Sequence, residues 1–447
     1  MGTKLRLIGS LGKAVLAGCL RLRWFLLSQE IYYSYAIGID NISHTQFNKD
    51  LNNELTLINR KISKNKYKFS RYKLKLLSKG KGKPPREIYI PTIRDRVLLK
   101  VIQKFLKEVF KNEVTQDLPQ NIIRELKLDL ASKRYDTYIK VDIKDFYPSI
   151  DKDILLKKIR FRVRSSEFTH LLRDSLNPSK KENISGVPQG LSISNILAHI
   201  YLLSLDKKLN SQSNIKYFRF VDDIFILLEA SNQDKIINLI QSEFSKLKLK
   251  IHPITEKNSK SKISLIRNGF DYLGYTYYSN QFSVREGSIN NLRNSIVECF
   301  TSYRYAPSSK KNVNFLIWRL NLKITGCIDE GKAKGWLFFF SQISNQNILH
   351  ELDHFIQKIA KQFKIPSTDR QKIKKFSRTY FEITHNLYSS NYIPNFDQLD
   401  INKKKSILTD VFNTDLKGRS DEEIDDIFKF KTRKHINKLL IDLRNFS

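Results

Sequence analysis

The chain has 447 residues, with 79 Lys and Arg against 45 Asp and Glu, a net charge of +34. Hydrophobic residues make up 40% and aromatics 11%, which excludes a basic disordered tail, collagen, a coiled coil and a polytopic membrane protein, while the self-repelling charge fits a polyanionic partner. Cys19, Cys299 and Cys327 lie far apart without CxxC spacing, so neither a disulfide framework nor a zinc finger is expected, and a reducing, cytoplasmic location is.

Leu11–Leu27 is basic in front and apolar in the middle, but Arg21 and Arg23 interrupt it. It reads as an amphipathic N-terminal helix or an extension, not a membrane span. Leu51–Lys66 has helical apolar spacing, and the basic stretch Lys66–Lys83 that follows reads as a loop. Arg86–Pro91 alternates like a strand and Asp95–Lys111 reads as a helix. Tyr138–Asp142 is a short strand ending in an acid, and Ser192–Leu209 is helical. Tyr217–Asp222 and Ile224–Leu228 flank an Asp222-Asp223 pair, which predicts a β-hairpin with an acidic turn. Gln233–Leu249 is helical, Tyr272–Tyr278 strand-like, and from about Ser288 the pattern is helical to the end. Ser420 and Glu423 form a capping box. The expected class is α+β: an N-terminal helical segment (1–65), a mixed region with an antiparallel sheet (66–285), and an α-helical region (286–447).

Three motifs carry chemistry: VDIKDFYPSI (Val141–Ile150), GVPQGLSISN (Gly186–Asn195) and FVDD (Phe220–Asp223). If the strands that hold them pair, Asp142, Asp222 and Asp223 converge at one sheet edge. Phosphoryl transfer from a triphosphate to an alcohol needs such a cluster. Two hard cations about 3.5–4 Å apart clamp the attacking and leaving oxygens, and oxygen ligands suit Mg²⁺, with Mn²⁺ an alternative. Asp142 and Asp222 are the expected bridging ligands, and Asp223 the supporting carboxylate.

In order, spacing and wording these motifs resemble the palm motifs of reverse transcriptases. REIYIPTIRDRV (Arg86–Val97) resembles the fingers segment of retron and group II intron enzymes, Leu249–Lys260, ending ITEKNSK, the family's lysine-bearing loop, and FDYLGY (Phe270–Tyr275) its primer grip. The resemblance implies a right-hand polymerase, with fingers and palm in 66–285 and a thumb in 286–447. It places Ile143 with the three aspartates at the metals, and Tyr147 as an aromatic steric gate that rejects a ribonucleotide 2′-OH. Arg86, Lys83 or Lys81, Gln189, Gly190 and Lys257 are expected at the nucleotide, with Lys260 the rival of Lys257 as proton donor to pyrophosphate. Pro188, Phe220, Leu273 and Gly274 are expected at the template–primer. Phe220 stands where the family usually has Tyr, and activity is expected to survive the lost hydroxyl.

Other patterns are set aside. His350-Glu351-Leu352-Asp353-His354 fits HExxH, but an amphipathic helix with Leu349, Leu352 and Phe355 inward explains it without zinc. Lys79–Pro85 lacks GxxxxGK[ST], so no P-loop is expected, and Gly335–Phe340 reads as helix core. No endonuclease finger, RNase H pattern or integrase pattern is legible. The resemblance is then to defence-associated bacterial enzymes, including abortive-infection types, that make DNA on a non-coding RNA during phage infection. The expected partners are an RNA template, a DNA product or primer, and dNTPs. A second reverse transcriptase, another defence protein or a second copy are further candidates; a membrane is not. Tyr380, Tyr388 and Tyr392 are candidate priming hydroxyls. The alternatives are a retron or group II intron-type enzyme of a mobile element, and a non-catalytic RNA-binding relic.

Overall fold

The computed structural model of the protein describes residues 36–441 except 79, 81, 83, 115–116, 179–183, 255–258, 309–310 and 388. Leu11–Leu27, Cys19, Lys81, Lys83, Lys257 and Tyr388 therefore lie outside the described residues. The chain divides into two compact units. One takes the chain up to Gln116 together with Thr137–Ser264, and the other takes Asp117–Asp136 and Leu265–Ser447. The division falls between Ser264 and Leu265, and one helix from the middle of the chain joins the C-terminal unit.

The first unit opens with α1 (His44–Lys49) and α2 (Leu51–Ser63), then β1 (Lys73–Leu77) and β2 (Arg86–Ile90), which pair antiparallel. The basic stretch before Lys83 is therefore partly strand rather than loop. All five β1 residues are exposed, so no buried face betrayed the strand. Next comes α3 (Ile93–Val109), N-capped by Thr92, whose hydroxyl accepts from Asp95 N at 3.2 Å. Asp95 is itself buried, and its carboxylate accepts from Tyr67 Oη and Thr92 Oγ1, both at 2.8 Å, and from Ser70 N at 3.1 Å. A buried carboxylate needs such partners, and here they tie α3 to the segment leading into β1. The helix α4 (Pro119–Ala131) belongs to the other unit.

A four-stranded sheet forms the heart of the first unit, in the order β4–β5–β3–β6. These strands are β3 (Thr137–Val141), β4 (Ile215–Phe220), β5 (Asp223–Leu228) and β6 (Lys262–Leu265), and β5 pairs antiparallel with both β3 and β4. Ile224–Leu228 is buried throughout, so this central strand is covered on both faces, which explains its continuous apolar run. Between β3 and β4 run α5 (Phe146–Ser149), α6 (Lys152–Arg162), α7 (Ser166–Leu176) and α8 (Ser194–Asn210). The helix α8 buries ten of its 17 residues; it is apolar nearly all round because it sits inside the core. After β5 comes α9 (Gln233–Lys246), and a single apolar core spans Phe47 to Leu249.

The second unit begins with a three-stranded meander, β7 (Phe270–Tyr272), β8 (Tyr275–Tyr278) and β9 (Gln281–Val284). The expected single strand over Tyr272–Tyr278 is thus broken by a two-residue turn at Leu273-Gly274, with φ of 48° and 80°. Helices α10 (Glu286–Arg304) and α11 (Val313–Thr325) follow, then a small hairpin, β10 (Cys327–Asp329) and β11 (Lys332–Lys334), inside the region expected to be helical. Its turn, Glu330-Gly331, has both φ positive and is bound by Asp397, whose carboxylate accepts from both backbone N–H groups at 2.8 Å. The unit continues with α12 (Trp336–Phe339), α13 (Asn347–Gln362), α14 (Ser367–Arg370), α15 (Phe376–His385), α16 (Ile401–Ser406) and α17 (Asp421–Ile441). The capping box at Ser420 and Glu423 forms, with reciprocal bonds of 3.0 and 3.2 Å.

The HExxH string lies on α13. Leu349 and Leu352 are buried, while His350 and His354 are both exposed. Asp353 caps α15 instead, accepting from the N–H groups of Phe376 (2.5 Å) and Ser377 (3.2 Å). Trp336–Phe338 and Phe340 are buried, as expected for helix core. Among the described residues no helix is long and apolar enough to cross a membrane.

Candidate active site

Antiparallel pairing brings the end of β3 beside the start of β5. The register that pairs Val141 with Ile224 sets Asp142, one residue further, opposite Asp223. Residues directly opposite share a face of the sheet. Phe220 pairs with Asp223 across the β4–β5 hairpin, so the turn is Val221-Asp222 and Asp223 is already a strand residue. Three carboxylates thus meet at one end of the sheet. The turn is strained: Val221 has a φ of 57°. A β-branched residue rarely occupies that region, at a cost of about 1–3 kcal/mol, and such outliers gather at functional sites.

The charges respond to this crowding. Burial pushes the Asp223 carboxyl up to about 6, with Asp222 and Asp142 adding to the push and Lys140 and Lys260 opposing it. Asp222 is raised by burial, against a hydrogen bond from its own backbone N–H; the Asp142 charge raises it further, while Arg86 and Lys260 draw it down. Asp142 is braced from the segment after α9. Its backbone N–H donates to Ser261 Oγ at 3.0 Å, and its carbonyl accepts from His252 N at 3.0 Å. Its Oδ1 lies 3.3 Å from His252 Nε2 and 3.8 Å from Lys260 Nζ. Ile143 is buried and bridges to Ile251.

A cleft of about 590 Å³ adjoins, lined by Arg86, Arg96, Lys100, Tyr147, Gln189 and Asn195 among others. Glycines shape the loop that supplies Gln189 and Gly190 to its lining. Gly186 has φ 61°, and a Cβ there would stand 2.1 Å from Tyr147 O. Gly190 has φ 103°, and a Cβ there would stand 2.7 Å from Tyr89 O. The GVPQG loop is therefore pressed between α5 and β2: Val187 N donates to Tyr147 O at 2.9 Å, and Tyr89 N donates to Gln189 O at 2.8 Å. Pro188 is buried, with its carbonyl taking Ser194 Oγ at 2.6 Å. Tyr147 Oη donates to Asn195 Oδ1 at 2.5 Å. The phenol is pushed up by burial and by the Asp222 charge, and drawn down by Arg86, so Tyr147 and Arg86 both stand within electrostatic reach of Asp222.

The structure thus gathers Asp142, Ile143, Asp222, Asp223, Tyr147, Arg86, Gln189, Gly190, Pro188 and Phe220 in the first unit. Leu273 and Gly274 belong to the second unit, where Gly274 O accepts from Arg285 N at 3.0 Å. Pattern reading missed Arg96, Lys100, Asn195 and His252. Arg96 and Lys100 sit four apart on α3, on one face of the helix, a spacing visible in the sequence.

The all-oxygen donor set and the mutual repulsion of the carboxylates fit hard divalent cations. Among the described residues no group of three or more His, Cys, Asp or Glu forms a ready-made metal cage.

Residues 77–277 match the family described as "Reverse transcriptase (RNA-dependent DNA polymerase)". That stretch is similar to the reverse transcriptase family. It is 27% identical over 146 residues to the group II intron-encoded protein LtrA of Lactococcus lactis subsp. cremoris, covering 29% of this chain and 24% of that protein. It is 27% identical over 212 residues to the Retron Se72 reverse transcriptase of Salmonella heidelberg, covering 43% of this chain and 53% of the relative. The chain therefore spans about a quarter of the one relative and about half of the other. Among solved structures, apo telomerase from Candida tropicalis aligns with a TM-score of 0.42 at 13% identity, over 89% of this chain and 72% of that one.

Proposed function

We propose that the protein is an RNA-templated DNA polymerase working by two-metal phosphoryl transfer. The observation that carries this reading is the meeting of Asp142, Asp222 and Asp223 at one sheet end, beside a basic cleft that holds Tyr147 and Arg86. Asp142 and Asp222 would hold the divalent cations, Mg²⁺ in this reading, with Asp223 in support and Ile143 beside them. Bound there, the cations supply Lewis-acid activation of the primer 3′-hydroxyl and neutralise charge on the leaving pyrophosphate. The chain's own groups position the reactants. The Arg86 fork suits triphosphate oxygens, and Lys83 would add a point charge. Gln189 and Gly190 form a floor rigid enough to orient the base pair. The Tyr147 ring stands against the sugar, and its hydroxyl, tied to Asn195, keeps the ring in place to exclude a 2′-OH. Lys257 or Lys260 would protonate the pyrophosphate. Pro188, Phe220, Leu273 and Gly274 are assigned to the template–primer.

In this reading the enzyme copies a non-coding RNA into DNA in defence against phage. Support comes from the helical unit that follows the palm-like unit and from the family itself. Two candidate priming tyrosines are engaged: Tyr380 Oη donates to Ile343 O at 2.9 Å, and Tyr392 Oη accepts from Lys375 N at 2.8 Å. The similarity to a retron enzyme favours a second reading, a retron-type reverse transcriptase of a mobile element. Plaque counts on cells carrying the wild-type gene or Asp222→Asn, with sequencing of the co-purified nucleic acid, test the role. Phage restriction lost in the variant supports defence; no restriction by either supports the second reading.

A further inference from the structure

The turn that carries Asp222 and Asp223 has an unusual first residue and an unusual brace. Val221 has φ 57°, whereas Asp222 is not among the residues with positive φ. A two-residue hairpin turn with positive φ only at its first position ordinarily takes glycine there. The other two-residue hairpin turns among the described residues solve the problem differently: Leu273-Gly274, Ser279-Asn280 and Glu330-Gly331 have both φ values positive. Among them, only Val221 puts a β-branched side chain in the glycine position of such a turn, so something outside the turn must hold it.

That something is Arg219, in β4, whose side chain is 7% exposed. Its Nη1 donates to Val221 O at 2.8 Å. Its Nε donates to Asp206 Oδ1 at 2.7 Å, and its Nη2 pairs with Asp206 Oδ2. Asp206 is on α8, the helix embedded in the core, and also accepts from Tyr217 Oη at 2.7 Å. His199, two turns earlier on α8, places Nδ1 3.4 Å from Arg219 Nη2. The guanidinium therefore runs from a helix buried in the core to a single carbonyl in the turn. That carbonyl belongs to the Val221–Asp222 peptide. Fixing its oxygen fixes the plane of the peptide, and with it the direction in which the chain enters Asp222.

We propose that Arg219 is a positioning residue for the aspartate turn: braced by Asp206, it holds the Val221–Asp222 peptide in the orientation that presents Asp222 beside Asp142 and Asp223. The inference rests on the polymerase reading above. It explains why an Arg is needed, since a Lys has one nitrogen and cannot bridge a carboxylate and a carbonyl in a fixed fork.

Primer extension on an RNA template, run beside thermal melting, tests it with four proteins: wild type, Arg219→Lys, Val221→Gly, and the double variant. Arg219→Lys keeps a cation for Asp206 but loses the bridge. The expected result is a roughly 10- to 100-fold slower incorporation at saturating dNTP, as small misplacements at a reacting centre produce, with primer–template affinity unchanged. In the Val221→Gly background, where glycine accepts positive φ freely, the same Arg219→Lys penalty shrinks by at least about fivefold. If Arg219→Lys does not fold, Tyr217→Phe serves instead, with a loss of roughly 2- to 5-fold that is again relieved by Val221→Gly. An Arg219→Lys rate near wild type, or an equal penalty in both backgrounds, overturns the inference while leaving the polymerase reading intact. Absence of Asp222-dependent incorporation in the wild type overturns both.

Discussion

Removing one charge from the carboxylate cluster should make the metal-free protein more stable. Asp223→Asn keeps the shape of the side chain and abolishes its ionisation. The native carboxyl is pushed from 3.8 to about 6, first by burial and then by its two acidic neighbours. A carboxyl raised in the folded state binds its proton more tightly there, so ionisation opposes folding. The penalty is absent below the unfolded value and complete above the folded one. At about 1.4 kcal/mol per unit the ceiling is roughly 3 kcal/mol, and partial exposure of the side chain brings the expectation to about 1–3 kcal/mol. For a unit of this size that corresponds to a melting point higher by roughly 3–8 °C. Thermal unfolding in EDTA at about pH 7.5 and about pH 5 reads the effect directly. Asp223→Asn should melt above wild type at the higher pH, and the gap should narrow at the lower. Millimolar Mg²⁺ should raise both, because Asp142 and Asp222 remain to hold the cations, and raise wild type more. A variant less stable than wild type in EDTA at the higher pH, or a gap that ignores pH, would mean that these carboxylates do not repel one another in a shared site.

Three further outcomes are expected. Gly186→Ala drives a Cβ to 2.1 Å from Tyr147 O and 2.4 Å from Pro148 O at a φ of 61°; it should cost at least about 2 kcal/mol in denaturant unfolding and slow primer extension, and unchanged values would disprove the close packing of the loop on α5. Asn195→Ala frees the Tyr147 hydroxyl, so single-nucleotide incorporation should show dNTP-over-rNTP preference falling by roughly 2- to 10-fold, with dNTP turnover changed less. In the second unit His435 packs among Phe315, Trp318 and Phe412, and burial pushes its pKa down to about 4, with Arg319 and nearby lysines assisting. A histidine depressed in the folded state costs folding nothing above about pH 6.5 and opposes it increasingly as pH falls toward about 4. Melting of wild type should therefore drop more steeply over that window than melting of His435→Phe, by roughly 1–3 kcal/mol; parallel curves would contradict the burial.

The palm was legible because its strands announce themselves by continuous apolar runs, and because Asp142 and Asp222-Asp223 end or join those runs. The hairpin, the helix α8 and the convergence of the carboxylates all follow from that pattern. What escaped reading depends on contacts that the local pattern does not encode. Strand β1 is Lys-Leu-Lys-Leu-Leu with every residue exposed, so what anchors it is the ladder to Arg86–Ile90. The turn within FDYLGY is hidden because Leu273 is buried and sits at positive φ, where Asn or Asp would have advertised a hairpin. Glu330-Gly331, by contrast, is a readable turn signal that the surrounding helical pattern masked. The assignment of α4 to the C-terminal unit, and the reach of Arg219 to Asp206, are tertiary facts, set by packing between segments distant in sequence.

Nucleotide incorporation by the purified protein on an RNA template with Mg²⁺ decides whether Asp222 belongs to a polymerase centre. Wild type is run beside Asp222→Asn, each offered labelled dNTPs or rNTPs. The expected result is DNA synthesis by the wild type, strong preference for dNTPs, and a loss in the variant of well over about 100-fold with RNA binding retained. Equal synthesis by the two proteins would contradict the assignment of Asp222, and RNA binding with no synthesis by either would contradict the polymerase itself.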